Sequence, residues 1–347
     1  MKRFMVGSRL LGESCFVIAE AGVNHNGDFA LACQLVDAAV EAGADAVKFQ
    51  TFKSEQVVSS IAPKAEYQRD TTGSGESQLD MVRRLELPFD DFAKLKAYCD
   101  ARSILFLSTP FDDDSVDFLD RLGMPIFKIA SGEVTNLPSL SRIGARGKPV
   151  ILSTGMASLE EVEQALRALR RFADPAICIL QCVSNYPADA GDANLRAMDT
   201  MATAFGLPVG YSDHTLGIEV ALAAVARGAA ILEKHFTLDK TMPGPDHRCS
   251  LDPTELKALI AGVRRVEASL GSGRKEPAAA EADTARVARR SLFTSRAVTA
   301  GSTIEADDLV ALRPGDGVSP ALTDLVQGRR AKRNLSGGHK LSWEDVE

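Results

Sequence analysis

The sequence predicts a (β/α)8 barrel of the TIM-barrel type followed by a small, mostly-β domain, and three observations carry that prediction. Eight short apolar runs alternate with helix-length amphipathic stretches before Leu270. Each run ends in polar residues. Beyond Leu270 the texture changes to a Gly-, Ser- and Pro-containing stretch and then to short β-like pieces separated by turns.

The runs are 16–22, 45–52, 104–111, 126–133, 149–156, 177–185, 207–215 and 229–237. Their near-continuous apolar character is that of strands buried on both faces, as parallel strands flanked by helices are. Between them, 29–42, 89–102, 158–172 and 216–228 carry helical periodicity. Eight βα repeats favour a closed barrel over an open doubly wound sheet, which has fewer strands. The predicted boundaries are a barrel domain over 1–270, a linker over 271–288 and a small domain over 289–347.

A chain of 347 residues, 45% hydrophobic and 25% charged, has the core for such a barrel. With 40 basic against 47 acidic residues the net charge is -7, which gives no electrostatic footprint for nucleic acid or an anionic membrane. An anionic substrate then needs locally placed cations. Six cysteines are scattered without a Cys-x-x-Cys motif, and the segment from Met1 to Ser8 lacks the apolar stretch of a signal peptide. A cytoplasmic protein is the expectation.

The barrel's chemistry is expected where its strands end. Those ends hold Glu20, Lys48 with Gln50, Ser108 with Thr109, Lys128 with Ser131, Ser153 with Thr154, Gln181 with Ser184, Ser212 to His214, and Lys234 with His235. Lysines and hydroxyls within otherwise apolar strands are costly to bury without a partner or ligand. His214 and His235 close consecutive runs, so parallel strands place both imidazoles at one rim. Two readings stand: a divalent ion shared by the two rings with positions open to substrate, or two core histidines bonded to backbone carbonyls.

The connection from Lys53 to Arg102 is longer than an ordinary βα loop. Lys64, Tyr67, Gln68 and the segment Thr71–Ser77 make it a candidate lid, or a surface excursion. In the small domain, Arg313-Pro-Gly-Asp-Gly317 sets a cation on a rigid turn.

Several ordered motifs together resemble the sialic acid synthases. They are Phe16-Val-Ile-Ala-Glu-Ala-Gly-Val-Asn-His-Asn-Gly27, Val47-Lys-Phe-Gln-Thr51, Ser108-Thr-Pro-Phe111, Lys128-Ile-Ala-Ser-Gly-Glu133, Leu152-Ser-Thr-Gly-Met156, Tyr211-Ser-Asp-His-Thr215, Glu233-Lys-His-Phe236 and Gly244-Pro-Asp-His247. The tail, with its turn at Arg313, resembles the antifreeze-protein-like (SAF) domain of those enzymes. The same motifs are shared by relatives that make legionaminic and other nonulosonic acids.

The resemblance implies a transferase that condenses phosphoenolpyruvate with the open-chain form of an N-acylated mannose-like sugar, consuming water and releasing phosphate. N-acetylmannosamine is the expected sugar, giving N-acetylneuraminate, with N,N'-diacetyllegionaminate as the alternative product. It implies Mn²⁺ or Mg²⁺ on His214 and His235. Lys48 and Lys128, assisted by Thr109, Ser131, Ser153 and Ser212, would hold phosphoenolpyruvate. Glu20 and Asp246 would stand beside the sugar, with Gln50 and Tyr186 adding contacts. Arg313 would bind the N-acyl group from the partner subunit of a domain-swapped homodimer. Two readings of other kinds remain: a Schiff-base aldolase using a lysine, and a non-catalytic carbohydrate-binding protein.

Overall fold

A computed structural model describes residues 4–6, 9–73 and 75–347. Residues 1–3, 7, 8 and Ser74, which fall in the N-terminal segment and the candidate lid, lie outside the described residues. The chain divides into two compact units, Met1–Gly271 and Ser272–Glu347.

The first unit is the eight-stranded barrel. Its strands are β1 (Phe16–Gly22), β2 (Ala46–Thr51), β3 (Leu105–Pro110), β4 (Phe127–Ile129), β5 (Val150–Ser153), β6 (Ile177–Cys182), β7 (Val209–Asp213) and β8 (Ile231–His235). The ladders are all parallel and run β3-β2-β1-β8-β7-β6-β5-β4, so β8 joins β1 and the ring is in chain order. β3 and β4 are the neighbours without a ladder between them.

Every strand after β1 is shorter than its apolar run, and in several the polar C-terminal residues leave the ladder to form loops. The run over 126–133 shows this most clearly: β4 stops at Ile129 and Ser131–Glu133 is a 3-10 turn. Helices follow the predicted periodicity at Phe29–Ala42, Phe89–Ala101, Leu159–Leu169 and Glu219–Ala226. Asp28 caps the first of them through Ala30 and Leu31 amides, and Gly43 ends it in the left-handed conformation.

Alternation along the strands splits the core into two layers. Val17, Ala19, Val47, Phe49, Leu152 and Ile179 face the helices. Phe16, Ile18, Leu107, Ile151, Leu180 and Ile231 face inward near the strand starts, where Val6 and Leu11 of the N-terminal hairpin pack on them. The barrel is therefore filled at its N-terminal end and open at the other.

Among the described residues, the connection from Lys53 to Arg102 carries short helices at Ser54–Val57, Glu66–Thr72 and Gln78–Leu85 before Phe89–Ala101. Buried Lys64 braces it from within: Nζ donates to Thr72 Oγ1 at 2.9 Å and Gly73 O at 3.0 Å, and pairs with Glu76 at 3.0 Å. The lysine of the candidate lid is thus used within the connection itself.

The second unit pairs β9 (Ser291–Thr294) with β10 (Leu309–Leu312) in antiparallel register, with further single bridges such as Val298 to Leu335 and Ala331 to Val346. Leu292, Ile304, Val326 and Leu341 fill its core. The stretch read from sequence as a linker contains a helix, Ala282–Ala288, whose Arg286 carbonyl accepts from the Gly315 amide. Arg313 stands in this unit on a turn held by Ser291, whose hydroxyl donates to Pro314 O and accepts from the Gly317 amide.

Candidate active site at the barrel mouth

The strand ends surround a cavity of about 380 Å³. Of the site residues proposed from sequence, Glu20, Lys48, Gln50, Thr109, Lys128, Ser131, Ser153, Tyr186, Ser212, His214, His235 and Asp246 line it. Arg313 belongs to the second unit. Period-two alternation decides which other polar strand-end residues reach the cavity. Ser108 turns away to bond Thr51 at 2.6 Å, Thr154 donates to Leu180 O, Gln181 donates to Ala193 O, and Lys234 pairs with Asp213.

Four buried charges alternate across the cavity floor. Lys48 Nζ lies 2.6 Å from Glu20 Oε2 and 3.8 Å from Glu233, and Lys128 Nζ lies 3.2 Å from Glu233. Thr109 accepts from Lys48 at 3.0 Å, and Ser212 donates to Glu233 at 3.0 Å. Burial raises the Glu20 carboxyl well above the ordinary carboxylate range, with Lys48 pulling the other way. Burial would raise Glu233 too, but Lys128 and Lys48 hold it low. Burial lowers Lys128, whereas Glu20 and Glu233 keep Lys48 raised against the same penalty. Two carboxyls are driven apart, one suited to hold a proton near neutrality and one to remain charged.

Two glycines let these side chains converge. At Gly22 (φ +54°) a Cβ would stand 3.3 Å from Glu20 Oε1, 3.4 Å from Gln50 Nε2 and 3.5 Å from His235 Cε1, so the three groups meet over bare backbone. At Gly155 a Cβ would fall 2.2 Å from Ser184 Oγ and 2.9 Å from Ser131 Oγ. The Gly155 amide donates to that Ser131 hydroxyl at 2.9 Å. Ser153 Oγ, nearby on β5, is buried without a hydrogen-bond partner, as a hydroxyl kept for a ligand would be.

His214 and His235 stand with ring centroids 5.3 Å apart. Nδ1–H of His214 donates to Val183 O at 2.7 Å, which leaves the Nε2 lone pair available. Burial and the neighbouring His214 hold His235 well below its ordinary pKa, and its buried Nδ1 has no partner. One of the two rings thus bonds a backbone carbonyl, as a core histidine would. Among the described residues no group of three or more His, Cys, Asp or Glu is gathered as a metal cluster. The pair nevertheless fits a divalent ion bound by two imidazoles with its other positions left to substrate and water, because an orphaned ring nitrogen is buried beside a ring already oriented by its carbonyl.

Tyr186 packs on His214 at 4.1 Å between ring centroids and meets Tyr67 of the lid helix at 5.2 Å. The aromatic column links the lid to the histidines. Part of the wall is apolar: Val23, Phe52, Leu85 and Phe111 pack together, and they and Met81 line the cavity. Sequence reasoning missed this wall, and it missed Glu233 and Cys182, which also line the cavity. Glu233 was within reach: it lies two residues before His235 on one strand and so shares its face.

Asp246 provides a pH-dependent prediction. Burial raises its carboxyl to about 6, with His214 opposing. Between the unfolded value near 4 and this folded value the native state binds more protons, so stability falls as pH rises through that window. In metal-free protein, Asp246→Asn should therefore raise stability at pH 7.5 by roughly 2–3 kcal/mol. That gain should fade as pH falls from 6 toward 4. Thermal melts across pH check this, and a gain independent of pH would refute the assignment.

Comparison with known proteins agrees with this geometry. Residues 35–275 match the NeuB family and residues 289–347 match the SAF domain. The chain is 47% identical over 338 residues to N,N'-diacetyllegionaminic acid synthase of Legionella pneumophila, covering 96% of this chain and 95% of that one. It is 37% identical to N-acetylneuraminate-9-phosphate synthase of Mus musculus, covering 96% and 93%. Among solved structures, N-acetylneuraminic acid synthetase from Leptospira borgpetersenii superposes with a TM-score of 0.72 at 36% identity, covering 82% of this chain and 95% of that one. Barrel, tail and motifs point the same way, and the chain belongs to the NeuB family, a synthase of the nonulosonic acid type with a C-terminal SAF domain.

Proposed function

We propose that this enzyme condenses phosphoenolpyruvate and water with a 2,4-diacetamido-6-deoxy hexose to give an N,N'-diacetyllegionaminate-type acid and inorganic phosphate. The observation that carries the reading is the pair of buried ammonium groups, Lys48 and Lys128, on the floor of a cavity that also has an apolar wall. The choice of sugar is supported by two features. The relative named for legionaminic acid is the more similar of the two curated proteins compared. A second N-acetyl methyl and a deoxy carbon also suit a wall of Phe52, Met81 and Phe111 better than hydroxyls do. N-acetylmannosamine, giving sialic acid, is the second reading, supported by the same motifs.

In the reaction, C3 of the enol bonds to the aldehyde carbon, water adds at C2, and the C2–O bond breaks to release phosphate. Lys48 and Lys128, with Thr109, Ser131, Ser153 and Ser212, hold the carboxylate and phosphate. Glu20, protonated near neutrality, delivers a proton to the aldehyde oxygen as the new C–C bond forms. Glu233 keeps both ammonium groups charged and in place. Asp246 and Gln50 grip hydroxyl or amide groups of the sugar. His214 and His235 would hold a divalent ion, which when bound would supply Lewis-acid polarisation of the aldehyde. A Schiff base is unnecessary, because phosphoenolpyruvate is already an activated enol.

Phosphate release with phosphoenolpyruvate, Mn²⁺ and each sugar tests this. The diacetamido sugar should exceed N-acetylmannosamine in kcat/KM by about tenfold or more, and ¹⁸O from water should appear at C2 and not in phosphate. Higher activity with N-acetylmannosamine would establish the sialic reading. No release with any sugar would leave a carbohydrate-binding protein.

The proposed enzyme is a homodimer in which Arg313 of one chain serves the barrel of the other. His235→Ala and Arg313→Ala variants, each inactive alone, should then regain part of the activity after subunit exchange, since one composite site per heterodimer is intact. Verified heterodimers that stay inactive would exclude the shared site.

A further inference from the structure

The floor of the cavity uses Glu233 and His235 of β8 and Ser212 of β7. The residues between them face the opposite way, and there a second ion pair is buried. Lys234 and Asp213 are register partners on the two strands, with side chains 1% and 0% exposed. Lys234 Nζ stands 2.6 Å from Asp213 Oδ2 and also donates to the carbonyl oxygen of Thr215. Asp213 Oδ1 accepts from the Thr215 amide at 3.0 Å and from the Thr215 hydroxyl at 2.8 Å.

Each partner immediately precedes one of the two cavity histidines in the chain. Asp213 and Thr215 bracket His214, and Lys234 precedes His235. One ammonium group therefore ties both chain neighbours of His214 to the chain neighbour of His235. A buried ion pair is a weak source of stability, because desolvation of both charges offsets their attraction and apolar replacements are often as stable. Its best-attested use is to select one register or geometry. Here the geometry within reach is the spacing of two imidazoles, since the β7–β8 register ends at the Asp213–Lys234 pair and His214 lies just beyond the end of β7.

We propose that the Asp213–Lys234 pair is a positioning device that sets the separation and orientation of the His214 and His235 rings from the outer face of the barrel. Its consequence for metal affinity rests on the reading of those rings as a shared divalent-ion site. Neither residue of the pair lines the cavity, so it acts only through the backbone that carries the rings.

The test uses the full-length protein labelled with ¹⁵N at histidine, which has five rings to resolve: His25, His214, His235, His247 and His339. The apolar double variant Asp213→Leu/Lys234→Met removes both charges together and should remain folded, with a melting temperature close to that of the parent. Its His214 and His235 ring signals should shift or broaden while the other three stay. Its Mn²⁺ affinity, read by electron paramagnetic resonance, should fall about tenfold or more. Asp213→Asn, which keeps the oxygen that accepts from Thr215 and removes the charge and the acceptor that face Lys234, should move the same two signals if the double variant does not fold. Unchanged His214 and His235 signals in a folded variant of either kind would overturn the proposal. Should the parent bind no Mn²⁺, the metal reading fails on its own, and the metal-free ring spectra still decide the role of the pair.

Discussion

Replacing His214 or His235 with alanine is expected to lower turnover by about 10³-fold or more and to abolish its response to added Mn²⁺ or Mg²⁺. The argument starts from the two rings as they stand. His214 is oriented by its bond to Val183 O, and His235 has a buried Nδ1 with nothing to bond. Both carry their imidazoles to the cavity, where the packing each would lose is its contact with the Tyr186 ring at the cavity wall. Loss of the His214 ring leaves the Val183 carbonyl short of one hydrogen bond, a cost of about 1 kcal/mol. Stability should thus change little while activity collapses. Melting curves beside activity at graded Mn²⁺ separate the two effects. Full activity of the parent after exhaustive chelation would sink the metal assignment, and so would variants whose lost activity follows their unfolding.

The strand-end chemistry was legible because a parallel barrel gathers its strand C-termini on one face. Glu20, Lys48, Lys128, His214 and His235 lie at least 15 residues apart along the chain and still meet. Which polar residue faced the cavity required the strand phase, so Lys234 and Thr154 read like their neighbours although both point outward. The lid was harder still. Nothing local in Lys64 shows that Glu76 folds back to neutralise it, because that contact depends on two short helices whose packing is tertiary. The apolar wall escaped notice for a different reason: Phe52 and Phe111 sit at strand ends and read as ordinary core. Hydrophobic residues that line a cavity have no distinguishing pattern in one sequence, and for that reason the sugar's identity was less legible than the reaction.

Lys48→Met and Lys128→Met carry the other large effect, and the charge array makes them distinguishable from each other. Each substitution removes a cation that the proposed trianionic substrate needs, so kcat/KM for phosphoenolpyruvate should fall about 10²–10³-fold, with much less change in the KM for the sugar. Lys128 faces Glu233 alone at 3.2 Å, so its loss leaves Glu233 with Lys48 at 3.8 Å as its remaining ion-pair partner. Lys48 instead bridges both carboxylates, at 2.6 Å to Glu20 and 3.8 Å to Glu233. Removing Lys48 strips Glu20 of the ammonium group that opposes burial, so its carboxyl should titrate higher still. The alkaline limb of the pH–rate profile, where a protonated Glu20 is lost, should then move upward in Lys48→Met and move less in Lys128→Met. Equal loss for both substrates would mean that the lysines only shape the barrel. Trapping of a substrate adduct on either lysine by borohydride would restore the Schiff-base mechanism, in which replacing the adduct-forming lysine would abolish turnover at every pH.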